Sequence, residues 1–120
     1  MNNSEFQETK KLLISDLKKN FPNTKFSVKK TAPSTLYINW TDGAPLKPVE
    51  NLTKEYSDKI DYIFCVRQYS REFLKTVYDE NNLAERNDGL PFEEFMKIDI
   101  LPLGVRPFNY MYTYIYNNNL

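Results

Sequence analysis

The run Leu36-Tyr37-Ile38-Asn39-Trp40-Thr41 alternates large apolar side chains with more polar ones, and Thr41-Asp42-Gly43-Ala44-Pro45 then stops it. Alternate residues of a strand face opposite sides, so Leu36, Ile38 and Trp40 share one face that some other layer has to cover. The stop is turn chemistry: Asp bonds its own backbone two residues on, Gly permits positive φ, and Pro prevents continuation of the strand. Phe26-Ser27-Val28-Lys29 alternates in the same way, and the turn-forming Thr31-Ala32-Pro33-Ser34 lies between the two runs. A β-hairpin is expected, with its Leu36, Ile38 and Trp40 face buried.

The covering layer is legible on either side. Phe6, Leu13, Ile14, Leu17 and Phe21 recur at helical spacing behind a possible Ser4 cap, and Pro22-Asn23 ends that helix. A second helix starts near Pro48, carries Val49, Leu52, Tyr56 and Ile60 on one stripe, and runs to about Asp58. Asp61 to Gln68 is rich in β-favouring residues, and Ser70 caps a third helix bearing Phe73, Leu74, Val77 and Tyr78. The polar stretch from Asn81 to Leu90, with Asn87-Asp88-Gly89, is expected as a loop, and Pro91 to Met96 as a short helix. From Tyr110 the alternation resumes, placing Tyr110, Tyr112, Tyr114 and Tyr116 on one side of a C-terminal strand and Met111, Thr113 and Ile115 on the other. The fold class is therefore α+β: a small, mainly antiparallel sheet in the order α-β-β-α-β-α plus the C-terminal strand, with helices packed on one face. A chain of 120 residues suffices for one domain, residues 1–120, with a body at 4–80 and an acidic, tyrosine-rich extension at 83–120.

Composition narrows the function. There is no His and only one Cys, which excludes zinc fingers, HExxH sites, Cys/His and Ser/His catalytic pairs and any intramolecular disulfide. Cys65, within Ile63-Phe64-Cys65-Val66, reads as a small buried hydrophobe. Asp79-Glu80 and Glu93-Glu94 are adjacent pairs, which on a helix project about 100° apart instead of facing one another across a substrate. No Gly-rich phosphate loop or EF-hand run occurs, so no catalytic residue, metal ligand or cofactor is assigned. An enzyme is the least favoured class. The start MNNSEFQETKKLL has no basic segment leading into an apolar run, and nowhere do 18 apolar residues run together, so a cytoplasmic protein without a membrane partner is expected.

Formal charge is zero, but it is unevenly placed: residues 10–30 hold seven Lys against one Asp, and residues 72–99 hold eight acids against three bases. Two binding surfaces follow. In the first, the tyrosine ridge of Tyr110, Tyr112, Tyr114 and Tyr116 joins Asp79, Glu80, Glu85, Asp88, Glu93 and Glu94 to hold a protein partner that itself handles nucleic acid. In the alternative, Lys18, Lys19, Lys25, Lys29, Lys30, Arg67 and Arg71 contact DNA or RNA phosphates, and Tyr37 or Tyr69 stacks on bases. Arg67 and Arg71 flank a strand-to-helix junction, where two guanidiniums could meet one anion. Against both stands the plain reading of solvated helix faces and tyrosines that serve the core.

Two stretches carry a family resemblance: Asn20-Phe21-Pro22-Asn23-Thr24-Lys25-Phe26-Ser27-Val28, and Leu36 through Trp40-Thr41-Asp42-Gly43-Ala44-Pro45. Together they resemble a large polyvalent protein-associated domain of the FSV…WTDGP type, and Tyr62 to Phe73 is similar to the strand and helix that follow in it. The likeness covers about residues 5–80. It departs from the family pattern in the hairpin loop, Lys29 to Thr35, and in Ala44, which intervenes before Pro45. The resemblance implies a protein of phages, plasmids or integrative elements, without established catalytic residues, that counters host defence or handles incoming DNA. The expectation is a non-enzymatic binder of a host protein, a defence nuclease such as a CRISPR effector, with a DNA- or RNA-binding accessory module as the alternative.

Overall fold

Helix α1 (Asn3–Asn20) buries Phe6, Thr9, Leu13 and Leu17, one residue per turn along a single stripe. Lys18 and Lys19 occupy its last turn, where cations suit the negative end of the helix dipole. Strands β1 (Ser27–Ala32), β2 (Thr35–Thr41) and β3 (Tyr62–Gln68) follow and make a three-stranded sheet with β2 in the centre. The computed structural model describes residues 3–120. The chain divides into two compact units, Met1–Gln68 and Tyr69–Leu120.

In the first unit β1 and β2 form the expected hairpin, with Lys29 opposite Tyr37, while β2 and β3 run parallel, with Tyr37 opposite Phe64. The sheet is thus mixed and not mainly antiparallel. The cause is the connection: helix α2 (Leu46–Thr53) and the 3-10 turn Lys54–Tyr56 carry the chain back to the starting end of β2, and a helical crossover delivers a parallel strand. Leu36, Ile38 and Trp40 pack on the helix side with Phe6, Leu13, Leu17, Val49, Tyr56 and Ile60. Each such fully buried side chain contributes roughly 1.5–3 kcal/mol.

The Trp40-Thr41-Asp42-Gly43-Ala44 turn is locked from several sides. Trp40 Nε1 donates to the Ala44 carbonyl at 2.9 Å, and the Ala44 N–H donates to Thr24 Oγ1 at 2.9 Å. Arg67, itself buried, donates through Nε to the Asp42 carbonyl at 2.7 Å and through Nη2 to the Gly43 carbonyl at 3.1 Å. Gly43 has φ +53°, and a Cβ there would stand 2.8 Å from Thr24 Oγ1, so the position requires glycine on two counts.

The second unit is helical throughout its regular elements. Helix α3 (Arg71–Glu80) begins as expected, with the Phe73 N–H donating to the Ser70 hydroxyl at 3.1 Å. It is followed by the 3-10 turn Leu83–Arg86, α4 (Phe92–Met96), the 3-10 turn Pro102–Gly104 and α5 (Pro107–Asn117). Leu74, Val77, Tyr78, Leu83, Phe92, Phe95, Leu101, Met111 and Ile115 form its core. The expected C-terminal strand is therefore a helix. Pro107 suits a helix's first turn, and Met111 and Ile115, four apart, meet the core on one stripe. No helix among the described residues is long and apolar enough to cross a membrane.

Candidate binding surface on the open sheet face

Alternation that buries Leu36, Ile38 and Trp40 turns their neighbours the other way. On that uncovered face stand Ser27 and Lys29 of β1, Tyr37, Asn39 and Thr41 of β2, and Tyr62, Phe64, Val66 and Gln68 of β3. Register aligns Lys29, Tyr37 and Phe64 across all three strands, and Ser27, Asn39 and Val66 in the next row. Tyr37 and Phe64 stack with ring centroids 5.0 Å apart, and Tyr62 lies nearly parallel to Phe64 at 6.4 Å. These rings are open to solvent: Tyr62 is 62% exposed and Phe64 45%. Exposed apolar patches are where interaction sites are sought, which makes this face the candidate surface. No Asp or Glu occurs in any of the three strands.

Beyond the rings the same face becomes polar. Asn23, Thr24, Lys25, Ser27, Asn39, Thr41 and Gln68 line an open pocket of ≈ 580 Å³. Among the described residues, three acidic or cysteine side chains nowhere come together as a metal site.

The anticipated nucleic-acid residues divide. Tyr37 and Lys29 are on the open face, and Lys25 is at the polar pocket. Lys18 and Lys19 lie on α1, and Lys30 Nζ sits 4.9 Å over the Phe6 ring. Arg67 is not a surface cation: its guanidinium holds the Asp42 and Gly43 carbonyls. Arg71 pairs with Glu93 at 2.6 Å and lies 5.4 Å over Phe92, and Tyr69 stacks on Phe73 at 5.6 Å. Each guanidinium has partners within its own unit.

The four-tyrosine ridge is also corrected, because residues two apart on a helix point nearly opposite ways. Tyr114 donates to Asn81 Oδ1 at 3.2 Å under the Arg86 guanidinium, and the Tyr110 hydroxyl receives the Asn87 amide at 3.4 Å; both rings are half-buried. Tyr112 and Tyr116 are exposed, Tyr112 with its ring 4.6 Å from Tyr69. Of the acids, Asp79 pairs with Lys75 at 2.6 Å, Glu93 with Arg71 and Glu94 with Lys97 at 3.5 Å, while Glu80, Glu85 and Asp88 are exposed. Half of the anticipated acidic set thus takes part in exposed ion pairs within the chain.

Perturbed ionisations lie away from the open face. Burial, reinforced by its hydrogen bond to the Asp16 carboxylate, pushes the Tyr56 hydroxyl up to about 12. Burial likewise raises the Tyr78 hydroxyl and the Cys65 thiol. A raised thiol is a poorer nucleophile, in keeping with the packing role expected for Cys65.

Tyr62, Phe64, Asn39 and Gln68 were not singled out from the sequence. The available signal was the alternation within Asp61 to Gln68, which sets Tyr62, Phe64 and Val66 against Ile63, Cys65 and Arg67.

The family described as large polyvalent protein associated domain 29 matches residues 4–87, more than two thirds of the chain. The chain belongs to that family. Large polyvalent protein associated domain 29 here takes in the sheet, the locked turn, the open face, α3 and the 3-10 turn after it, whereas α4 and α5 lie beyond the matched residues. Membership makes it a mobile-element-associated protein. No curated protein and no solved structure matches the chain.

Proposed function

We propose that the chain is a non-enzymatic, cytoplasmic interaction module of a mobile genetic element, and that the open face of its sheet holds single-stranded nucleic acid. The supporting observation is the exposed stack of Tyr37, Phe64 and Tyr62, with Lys29 in register beside it on strands free of acid. Unpaired bases lie on aromatic rings at a gain of roughly 1–3 kcal/mol each, whatever their identity, and lysines beside the rings follow the phosphates. Duplex DNA keeps its bases stacked on one another and offers no ring face to such a platform.

The test is fluorescence anisotropy of labelled 12-nucleotide single strands and of the matching duplex at low and high salt. Two phosphate contacts, Lys25 and Lys29, predict a loss of about sevenfold between roughly 50 and 200 mM salt. Tyr37→Ala with Phe64→Ala is expected to weaken binding at least tenfold without lowering the melting temperature by more than a few degrees. Equal or tighter binding to the duplex, or no binding to any single strand at low salt, overturns the proposal.

A second reading, a stoichiometric inhibitor of a host nuclease such as a CRISPR effector, is favoured by one feature of the second unit. Leu103 is 99% exposed and held at φ +73° at the tip of the turn from Leu101 to Val105, closed by the Leu101 N–H to Val105 carbonyl bond of 2.7 Å. Left-handed backbone costs a leucine roughly 1–2 kcal/mol, and here the side chain gains no packing in return. A leucine so presented suits an apolar recess on a protein partner, with the exposed Phe108 and Tyr112 as further anchors. Cleavage by a purified effector should then fall in proportion to added protein, and Leu103→Asp should restore it; undiminished cleavage at molar excess removes this reading.

A further inference from the structure

The open face has two ends of different chemistry. The pocket is lined by three side-chain amides, Asn23, Asn39 and Gln68, beside the hydroxyls of Thr24, Ser27 and Thr41 and the Lys25 ammonium. The amides of Asn23, Asn39 and Gln68 form no hydrogen bond with any described residue, and among the described residues no buried polar side chain lacks a partner. Polar side chains whose burial is complete are therefore satisfied, and the unengaged amides are gathered where solvent reaches them. Asn39 and Gln68 are fixed by strand backbone, and Asn39 stands two residues from Tyr37 on the same face. A strand of nucleic acid whose bases lie on Tyr37 and Phe64 runs its next nucleotide toward these groups.

Resting on the nucleic-acid reading of the open face, we infer that this pocket is a base-reading subsite, in which the amides of Asn39, Gln68 and Asn23 bond the edge of one unpaired nucleobase. An amide offers a donor beside an acceptor, which is the pattern a base edge presents, whereas an aromatic ring accepts every base alike. Lys25, at the rim, meets the phosphate of the same nucleotide. The rings supply affinity and the amides supply preference, so the two properties separate by mutation.

The experiment measures affinities of wild-type protein for four labelled 12-nucleotide homopolymers, then repeats them with Asn39→Ala, Gln68→Ala and, outside the strands, Asn23→Ala. One homopolymer is expected to bind at least fivefold more tightly than the mean of the others, and Asn39→Ala and Gln68→Ala are expected to remove that preference while leaving the weaker three affinities within about twofold. Tyr37→Ala should instead weaken all four together. Equal wild-type affinities, or a preference that survives all three amide variants, overturn the subsite while leaving the stacking face intact. Failure of every homopolymer to bind overturns the reading beneath it. Asn23→Ala leaves both strands untouched, so it still tests the amides if a strand variant lowers the melting temperature.

Discussion

Leu36–Thr41 and Tyr110–Tyr116 both alternate with period two, yet the first is a strand and the second lies in a helix. From Leu36 to Thr41 the alternation separates side chains of unlike burial: Leu36, Ile38 and Trp40 are buried, while Tyr37 and Thr41 are open to solvent. From Tyr110 to Tyr116 it separates tyrosines from a mixed set, and burial follows a different rule, Met111 with Ile115 and Tyr110 with Tyr114. Tyrosine is amphipathic and tolerates either setting, so a row of tyrosines carries little information about which way a residue faces. Alternation is diagnostic when the two classes it separates cannot exchange places.

Thr113 decides between the two geometries. In a strand it would share the face of Met111 and Ile115; on α5 it is exposed, and those two are fully buried. Met111→Asp or Ile115→Asp should lower stability by about 4 kcal/mol or more, through a buried unpaired charge. Thr113→Asp, two residues from either, should stay within about 0.5 kcal/mol. Ile38→Asp should match the larger figure, and so should any substitution of Leu36 by Asp, because in β2 the period-two neighbours do share a face. Thermal melts of the five variants check this, and a Thr113→Asp melt as low as that of Ile115→Asp would restore the strand.

The next largest contrast concerns the turns that close each region. Gly43 and Leu103 both have positive φ, but a Cβ at Gly43 would strike Thr24, while Leu103 is almost wholly in solvent. Gly43→Ala should cost about 2–3 kcal/mol from backbone strain and overpacking together. Leu103→Gly should raise stability by about 0.5 kcal/mol, since it relieves strain and removes no packing. Chemical denaturation midpoints report both, and a loss of stability in Leu103→Gly would show that the leucine is held for folding and not for a partner.

What was legible follows from where each residue's partners lie. Element order as far as α3, the Ser70 cap, the hairpin and the buried face of β2 depend on neighbours within a few positions, and periodicity exposes them. Arg67 does not: its partners are carbonyls 24 and 25 residues earlier, so a buried clamp looked like a surface cation. The carbonyls that the clamp holds belong to the turn after Trp40, so that turn has a structural role of its own. Tyr62 and Phe64 passed as ordinary β-formers because their exposure depends on which face of the sheet the helices cover. That choice is made by α1 and α2 together, and no local window of β3 contains it.

Alkaline titration compares the cores of the two units. Tyr56 is bonded to Asp16 in the first and Tyr78 donates to the Leu90 carbonyl at 2.6 Å in the second, and both hydroxyls have folded-state values above that of an unfolded tyrosine. An acid raised on folding favours the folded state while neutral. Its contribution is whole below the unfolded value of 10.0 and is lost as pH rises through the folded value, about 12 for Tyr56. Melting temperature should therefore fall across that interval. Tyr56→Phe, which costs about 1 kcal/mol at neutral pH through its lost hydrogen bond, should fall less steeply there. Parallel slopes for wild type and variant would mean that Tyr56 ionises as it does in the unfolded chain.

The smallest effects divide the tyrosines of α5. Tyr114→Phe removes the bond to Asn81 and should cost roughly 0.5–1 kcal/mol, whereas Tyr112→Phe should be silent within about 0.5 kcal/mol, because it keeps the ring that packs T-shaped with Tyr69. On a regular strand the two hydroxyls would stand side by side, and their removal would cost the same. A difference between them places Tyr114 in the scaffold and leaves Tyr112, with Phe108, as surface that a partner can take without unfolding anything. If Tyr112→Ala then weakens inhibition of a nuclease at unchanged melting temperature, the second unit carries a binding surface of its own, separate in chemistry from the stacked rings of the sheet.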